Sequence, residues 1–81
     1  MTFLINLKDA NDAEKLVHTL EADNYDWDLN SGHFIVDGKS FLGVCSSAIG
    51  RSAELTTNAT LSNEEVEQYK EKLQFCLVES K

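Results

Sequence analysis

Hydrophobic spacing along this chain switches repeatedly between a period of two and a period of about 3.6, which restricts the fold more than any other feature. Phe3, Ile5 and Leu7 alternate with Leu4 and Asn6, which predicts a first strand with a strongly apolar inner face. Ala13, Leu16, Val17 and Leu20 then follow at i, i+3, i+4 and i+7, the stripe of a helix buried on one side. Tyr25, Trp27 and Leu29 return to alternation with Asp26, Asp28 and Asn30. Ser31-Gly32 reads as a hairpin turn, with His33 to Val36 as the returning strand. Asp37-Gly38 turns again, and Ser40 to Ser47 predicts two turns of helix at most, closed off by Gly50. Ala53, Leu55 and Thr57 make a fourth alternating run. Val66, Tyr69, Leu73 and Cys76 carry a helical stripe to the end.

Two capping boxes sharpen the helix starts. Asn11 with Glu14 three residues on opens the first helix, which should stop near Asn24, and Ser62 with Glu65 opens the last. The predicted order is β-α-β-β-α-β-α in a single α+β domain spanning residues 1–81. Each helix has only one apolar stripe, so a four-stranded antiparallel sheet with its helices on one face is the economical architecture. The other face would meet water, and Asp26, Asp28 and Thr56 suit that. Proline is absent, and no repeat, low-complexity segment or linker interrupts the pattern.

Charge narrows the function. Seven Lys and Arg against fourteen Asp and Glu leave a net charge of −7. Phosphate neutralisation needs clustered cations, so nucleic acid is not an expected partner, whereas basic protein surfaces are. No apolar run approaches the roughly 20 residues of a membrane span, and Met1-Thr2-Phe3 leads into a strand pattern rather than a signal peptide. A cytoplasmic protein without membrane contact is expected. Cys45 and Cys76 lack CxxC spacing, which favours two buried free thiols over a disulfide. His18 and His33 have no partners at ligand spacing, so neither a metal nor another cofactor is expected. No nucleophile-base-orienter set is legible, which argues against an enzyme. A small acyl carrier fits the size and charge, but the chain has neither an all-helical pattern nor an Asp-Ser-Leu attachment site.

The octet Asp37-Gly38-Lys39-Ser40-Phe41-Leu42-Gly43-Val44 places a serine at the start of a short apolar helix. Ser40 suits an N-cap, and a phosphate there would meet unpaired N–H groups and the positive end of the helix dipole. Lys39 adds a modest attraction, while Asp37 and the net charge oppose it. Phe41, Leu42, Val44, Cys45 and Ile49 crowd a segment too short to bury them all. Leu42 and Cys45 are the expected inward positions; Lys39, Phe41, Val44 and Ile49 are the expected partner-binding residues.

With Gly38-Lys39-Ser40-Phe41-Leu42-Gly43-Val44 and the hairpin before it, the chain resembles the HPr family of the bacterial phosphoenolpyruvate:sugar phosphotransferase system. The likeness in element order covers nearly the whole chain, and the motif covers its middle third. It implies an open-faced β-sandwich, an ATP-dependent kinase acting on Ser40, and docking of partner proteins through the Ser40 helix. HPr kinase/phosphorylase or a transcriptional regulator are the partners implied. In that family a histidine at the start of the first helix, followed by Thr, Arg and Pro, carries the phosphoryl group. The equivalent stretch here is Asp9-Ala10-Asn11-Asp12, so the carrier role should be absent and a regulatory or protein-binding module remains. The alternative is an active phosphocarrier with a displaced acceptor at His18. That residue lies about nine positions later, and the helical wheel points it to solvent.

Overall fold

In the computed structural model, which describes residues 1–80, the alternating and helical runs become five strands and three helices. They are β1 (Thr2–Asn6), α1 (Ala10–Glu21), β2 (Asp28–Ser31), β3 (Phe34–Asp37), α2 (Phe41–Ala48), β4 (Ser52–Thr56), α3 (Asn63–Lys72) and β5 (Leu77–Ser80). The architecture is α+β. The strands form one antiparallel sheet in the order β3-β2-β4-β1-β5.

Register explains which side chains meet. One row runs Val36, Leu29, Leu55, Phe3 across the sheet; the next-door row runs Ile35, Asn30, Glu54, Leu4 on the opposite face. The first row carries the core, because Phe3, Leu29 and Leu55 are completely buried. Leu16, Val17 and Leu20 of α1, Val44 and Ala48 of α2, and Tyr69 of α3 join the same cluster, so the helices cover that face. Trp27 is at its centre, with its ring 5.2 Å from Tyr69 and 6.1 Å from Phe3. The second face carries Asp28, Asn30, Glu54 and Thr56, as the alternation predicts, together with Leu4 and Ile35.

Four expectations are corrected. The sheet has five strands, not four: α3 ends at Lys72, residues 73–76 turn, and Leu77–Ser80 pairs with the free side of β1. Leu73 and Cys76 are buried as the helical stripe predicts, but the last of them is reached through the turn. The cap of α1 is Asp9, not Asn11. Its Oδ1 accepts from the Asp12 N–H at 3.1 Å, while Asp12 Oδ2 accepts from the Lys8 N–H at 3.0 Å. The helix therefore starts two residues early and also stops early, at Glu21. Finally, the hairpin turn is Gly32-His33, with Ser31 paired to Phe34. Gly32 has φ +62° and His33 does not have a positive φ, the pattern of a II′ loop with Gly at its first central position. The Ser62 box forms as expected, with Ser62 Oγ and Glu65 Oε1 each accepting the other's backbone N–H at 3.1 Å.

No helix among the described residues is long and apolar enough to cross a membrane. Cys45 and Cys76 are both free thiols, the first half-buried and the second buried.

Candidate functional site

The turn that delivers Ser40 is fastened to the core at several points. Gly38 donates its N–H to the Trp27 carbonyl at 2.8 Å. A Cβ on Gly38 would lie 3.0 Å from Leu20 Cδ1 and 3.2 Å from Trp27 Cβ, tighter than ordinary contact, so a larger residue would need Leu20 or Trp27 to give way. Asp37 Oδ1 accepts from the Lys39 N–H and the Asp37 carbonyl accepts from the Ser40 N–H, both at 2.9 Å. These bonds hold the tight turn by the means Asp ordinarily uses. Lys39 reaches the other way, its Nζ donating to the Asp23 carbonyl at 2.9 Å, just beyond the end of α1.

Ser40 then leaves the turn extended, at φ −92° and ψ 104°, and caps α2. Its Oγ accepts from the Gly43 N–H at 3.3 Å, and its carbonyl accepts from the Val44 N–H at 2.9 Å. The side chain is exposed. The N–H groups of Phe41 and Leu42 belong to the first turn and have no intrahelical acceptor. Gly43 permits close packing of the helix on β3, since a Cβ there would lie 3.3 Å from Val36 Cβ.

The expected contact residues separate on this frame. Phe41 is 40% exposed and borders solvent as expected. Val44 is completely buried and offers nothing to a partner, whereas Leu42, the expected inward residue, is 79% exposed. The reversal follows from the helix phase: packing of Gly43 against Val36 turns Val44, Ser47 and Ala48 inward and Leu42 out. Lys39 and Ile49 are half-buried, and the Lys39 ammonium is already engaged by Asp23.

The start of α1 is chemically different. Asp9, Ala10 and Asn11 are exposed, and two carboxylates occupy the helix start: Asp9 accepts from the Asp12 N–H, and the buried Asp12 accepts from the Lys8 N–H just before the helix. His18 sits in the last turn of the same helix, its side chain 74% exposed and its Nε2 4.0 Å from Glu14 Oε1. The carboxyl end of the helix dipole disfavours an added phosphate there.

A juxtaposition missed in the sequence is that of α1 with α2. Glu14, Val17 and His18 meet Phe41 around a shallow hollow of about 320 Å³. A broader hollow of about 580 Å³ adjoins it, where Lys15 Nζ stands 5.6 Å over the Phe75 ring. Only the spacing of His18 and Phe41 relative to their helix faces could have hinted at this, and pairing two helices needs the tertiary fold.

Two tyrosine-carboxylate bonds brace the neighbourhood. Tyr69 Oη donates to Asp23, and Tyr25 Oη donates to Glu65. Burial first, and the Asp23 carboxylate second, push the Tyr69 phenol up. The bond to Glu65 raises Tyr25 and, reciprocally, holds Glu65 below the usual carboxylate range. Burial, helped by Asp12, pushes the Cys76 thiol up to about 12.

Chemically, the Ser40 hydroxyl is an accessible acceptor for an added group, with backbone donors beside it. Among the described residues its only hydrogen-bond partner is a donor, so no base activates it as a nucleophile. Nor do the described residues contain a cluster of three or more His, Cys, Asp or Glu able to hold a metal. Comparison of the chain with protein-family models and with curated proteins returns no match.

Proposed function

We propose that this chain is an HPr-like regulatory or protein-binding module without phosphocarrier activity, acting in the cytoplasm through the Ser40 helix. The observation that carries the proposal is the exposed Ser40 cap, followed directly by two exposed apolar side chains, Phe41 and Leu42. A phosphoryl group moved from ATP to Ser40 Oγ would bond the first-turn N–H groups and place charge beside an apolar docking surface. Its effect would be to change which partner the surface accepts. The β-α-β-β-α-β-α order through Lys72 supports the HPr-like reading.

The region equivalent to the carrier site supports the absence of phosphotransfer. Two aspartates, Asp9 and Asp12, stand at this helix start and would repel a phosphorylated donor protein. His18, at the other end of the helix, has neither free N–H groups nor a favourable dipole. Incubation of the wild-type chain and Ser40→Ala with HPr kinase/phosphorylase and ATP tests the proposal by intact mass. Wild type should gain one phosphate and the variant none; absence of any gain in wild type would remove the regulatory reading.

A further inference from the structure

The β3 strand is an edge of the sheet, bonded to β2 alone. Natural edges are usually blunted by charge, proline, a bulge or a covering segment. Asp37 is the one charge on this strand; Phe34-Ile35-Val36 has no charge, proline or bulge, and Phe34 and Ile35 are 57% and 71% exposed on opposite faces. The other edge differs, because the β5 pairing with β1 is broken by a register shift.

The backbone phase at β3 is also specific. Ser31 and Phe34 close a two-residue hairpin loop and so exchange both backbone bonds. Alternation then directs the Ile35 N–H and C=O away from β2, towards open solvent. Next to Ile35 on the second face, Asp37 lies directly opposite Asp28, an unfavourable like-charge pair. Among the described residues no Lys or Arg forms a salt bridge with either aspartate.

We propose that the β3 edge takes up an extended segment of another protein as an added strand, with apolar side chains beside Phe34 on one face and Lys or Arg beside Ile35, against Asp28 and Asp37, on the other. Main-chain bonds to Ile35 supply the attachment, and the alternating side chains supply the selectivity. Charge selects the occupant. A second copy would bring another net charge of −7 and a second Asp37 to the same edge. A basic segment relieves the repulsion that a copy would double. This surface is separate from the Ser40 cap and does not depend on the fate of that serine.

The test is an NMR titration of the full, isotope-labelled chain with the synthetic peptide acetyl-Lys-Val-Lys-Val-Arg-Val-amide, and with its counterpart carrying Glu at every cationic position. The cationic peptide should shift the β3 amides and slow exchange of the Ile35 N–H by about tenfold or more, while the acidic peptide does neither. Ile35→Pro removes the outward donor without breaking a β2–β3 bond and should abolish binding. Asp28→Asn, which leaves the backbone intact, should weaken binding about threefold or more at low salt and lessen its salt sensitivity. Ser40→Ala should bind as wild type does. Undiminished binding by Ile35→Pro, peptide shifts confined to another surface, equal binding of the acidic peptide, or self-association through β3 without peptide would each overturn the proposal.

Discussion

Replacing Tyr69 with Phe removes one oxygen from the centre of the molecule and leaves the ring in place. The ring is 3% exposed and packs 5.2 Å from Trp27 and 6.3 Å from Phe3, contacts that Phe retains. What is lost is the O–H bond to the Asp23 carboxylate, which ties α3 to the segment following α1. A hydrogen bond to a charged group contributes about 1.5–3 kcal/mol. Asp23 is half-exposed and regains water in the variant, so the expected loss is about 1–2 kcal/mol. For a domain of this size that corresponds to a fall in Tm of about 4–16 °C.

The same bond has a pH signature. Burial and Asp23 raise the folded-state Tyr69 pKa above its ordinary 10.0, so the folded chain keeps a proton that the unfolded chain releases. This contribution is fully present below pH 10 and is lost as pH rises above it, at a limiting slope of about 1.4 kcal/mol per pH unit. Tyr25 has the same sign, from its bond to Glu65, but lies at the surface and should add a smaller slope. Guanidinium unfolding followed by circular dichroism, in steps from about pH 8 to pH 11, reads both effects. Tyr69→Phe should be the less stable protein at the low end and the less pH-sensitive one above pH 10, so the two curves converge. Equal stability at the low end, or an unchanged alkaline slope, would refute the reasoning.

Two further outcomes follow from the local geometry. Asp9→Ala should cost about 1 kcal/mol in chemical denaturation, while Asn11→Ala should stay within about 0.5 kcal/mol, because the cap of α1 is the former residue. A thiol reagent at mildly alkaline pH should modify Cys45 in the native chain and reach Cys76 only on unfolding, since burial both covers that thiol and pushes its pKa up to about 12.

Much of the fold was legible because local signals agreed with the global arrangement. Ser62 and Glu65 form the capping box their spacing predicts, and Ser40 caps a helix of eight residues. The alternation of Ala53, Leu55 and Thr57 matches three buried side chains. Where local patterns competed, the sequence was ambiguous. The Asn11–Glu14 spacing suggests one cap, but in the fold Asp9 caps the helix and Asp12 reaches back to the Lys8 N–H. Tyr69, Leu73 and Cys76 continue a helical period into a short apolar run, 75–78, that serves equally as a strand. The exposed side of β1 decides the matter by pairing with it. The candidate site divides in the same way. The Ser40 cap is a local feature and was visible. The inward turn of Val44, the outward turn of Leu42 and the engagement of Lys39 by Asp23 depend on contacts with β3 and α1, which no local spacing reveals.

We propose Ser40 as the point where the chain is modified and read. Its most direct test is treatment with HPr kinase/phosphorylase and ATP, followed by site localisation by fragmentation mass spectrometry and an amide spectrum of the product. The expected product carries a single phosphate on Ser40, with downfield shifts of the Phe41, Leu42 and Gly43 N–H resonances as they bond to it. No phosphate, or a phosphate on another residue with the α2 amides unmoved, would contradict it.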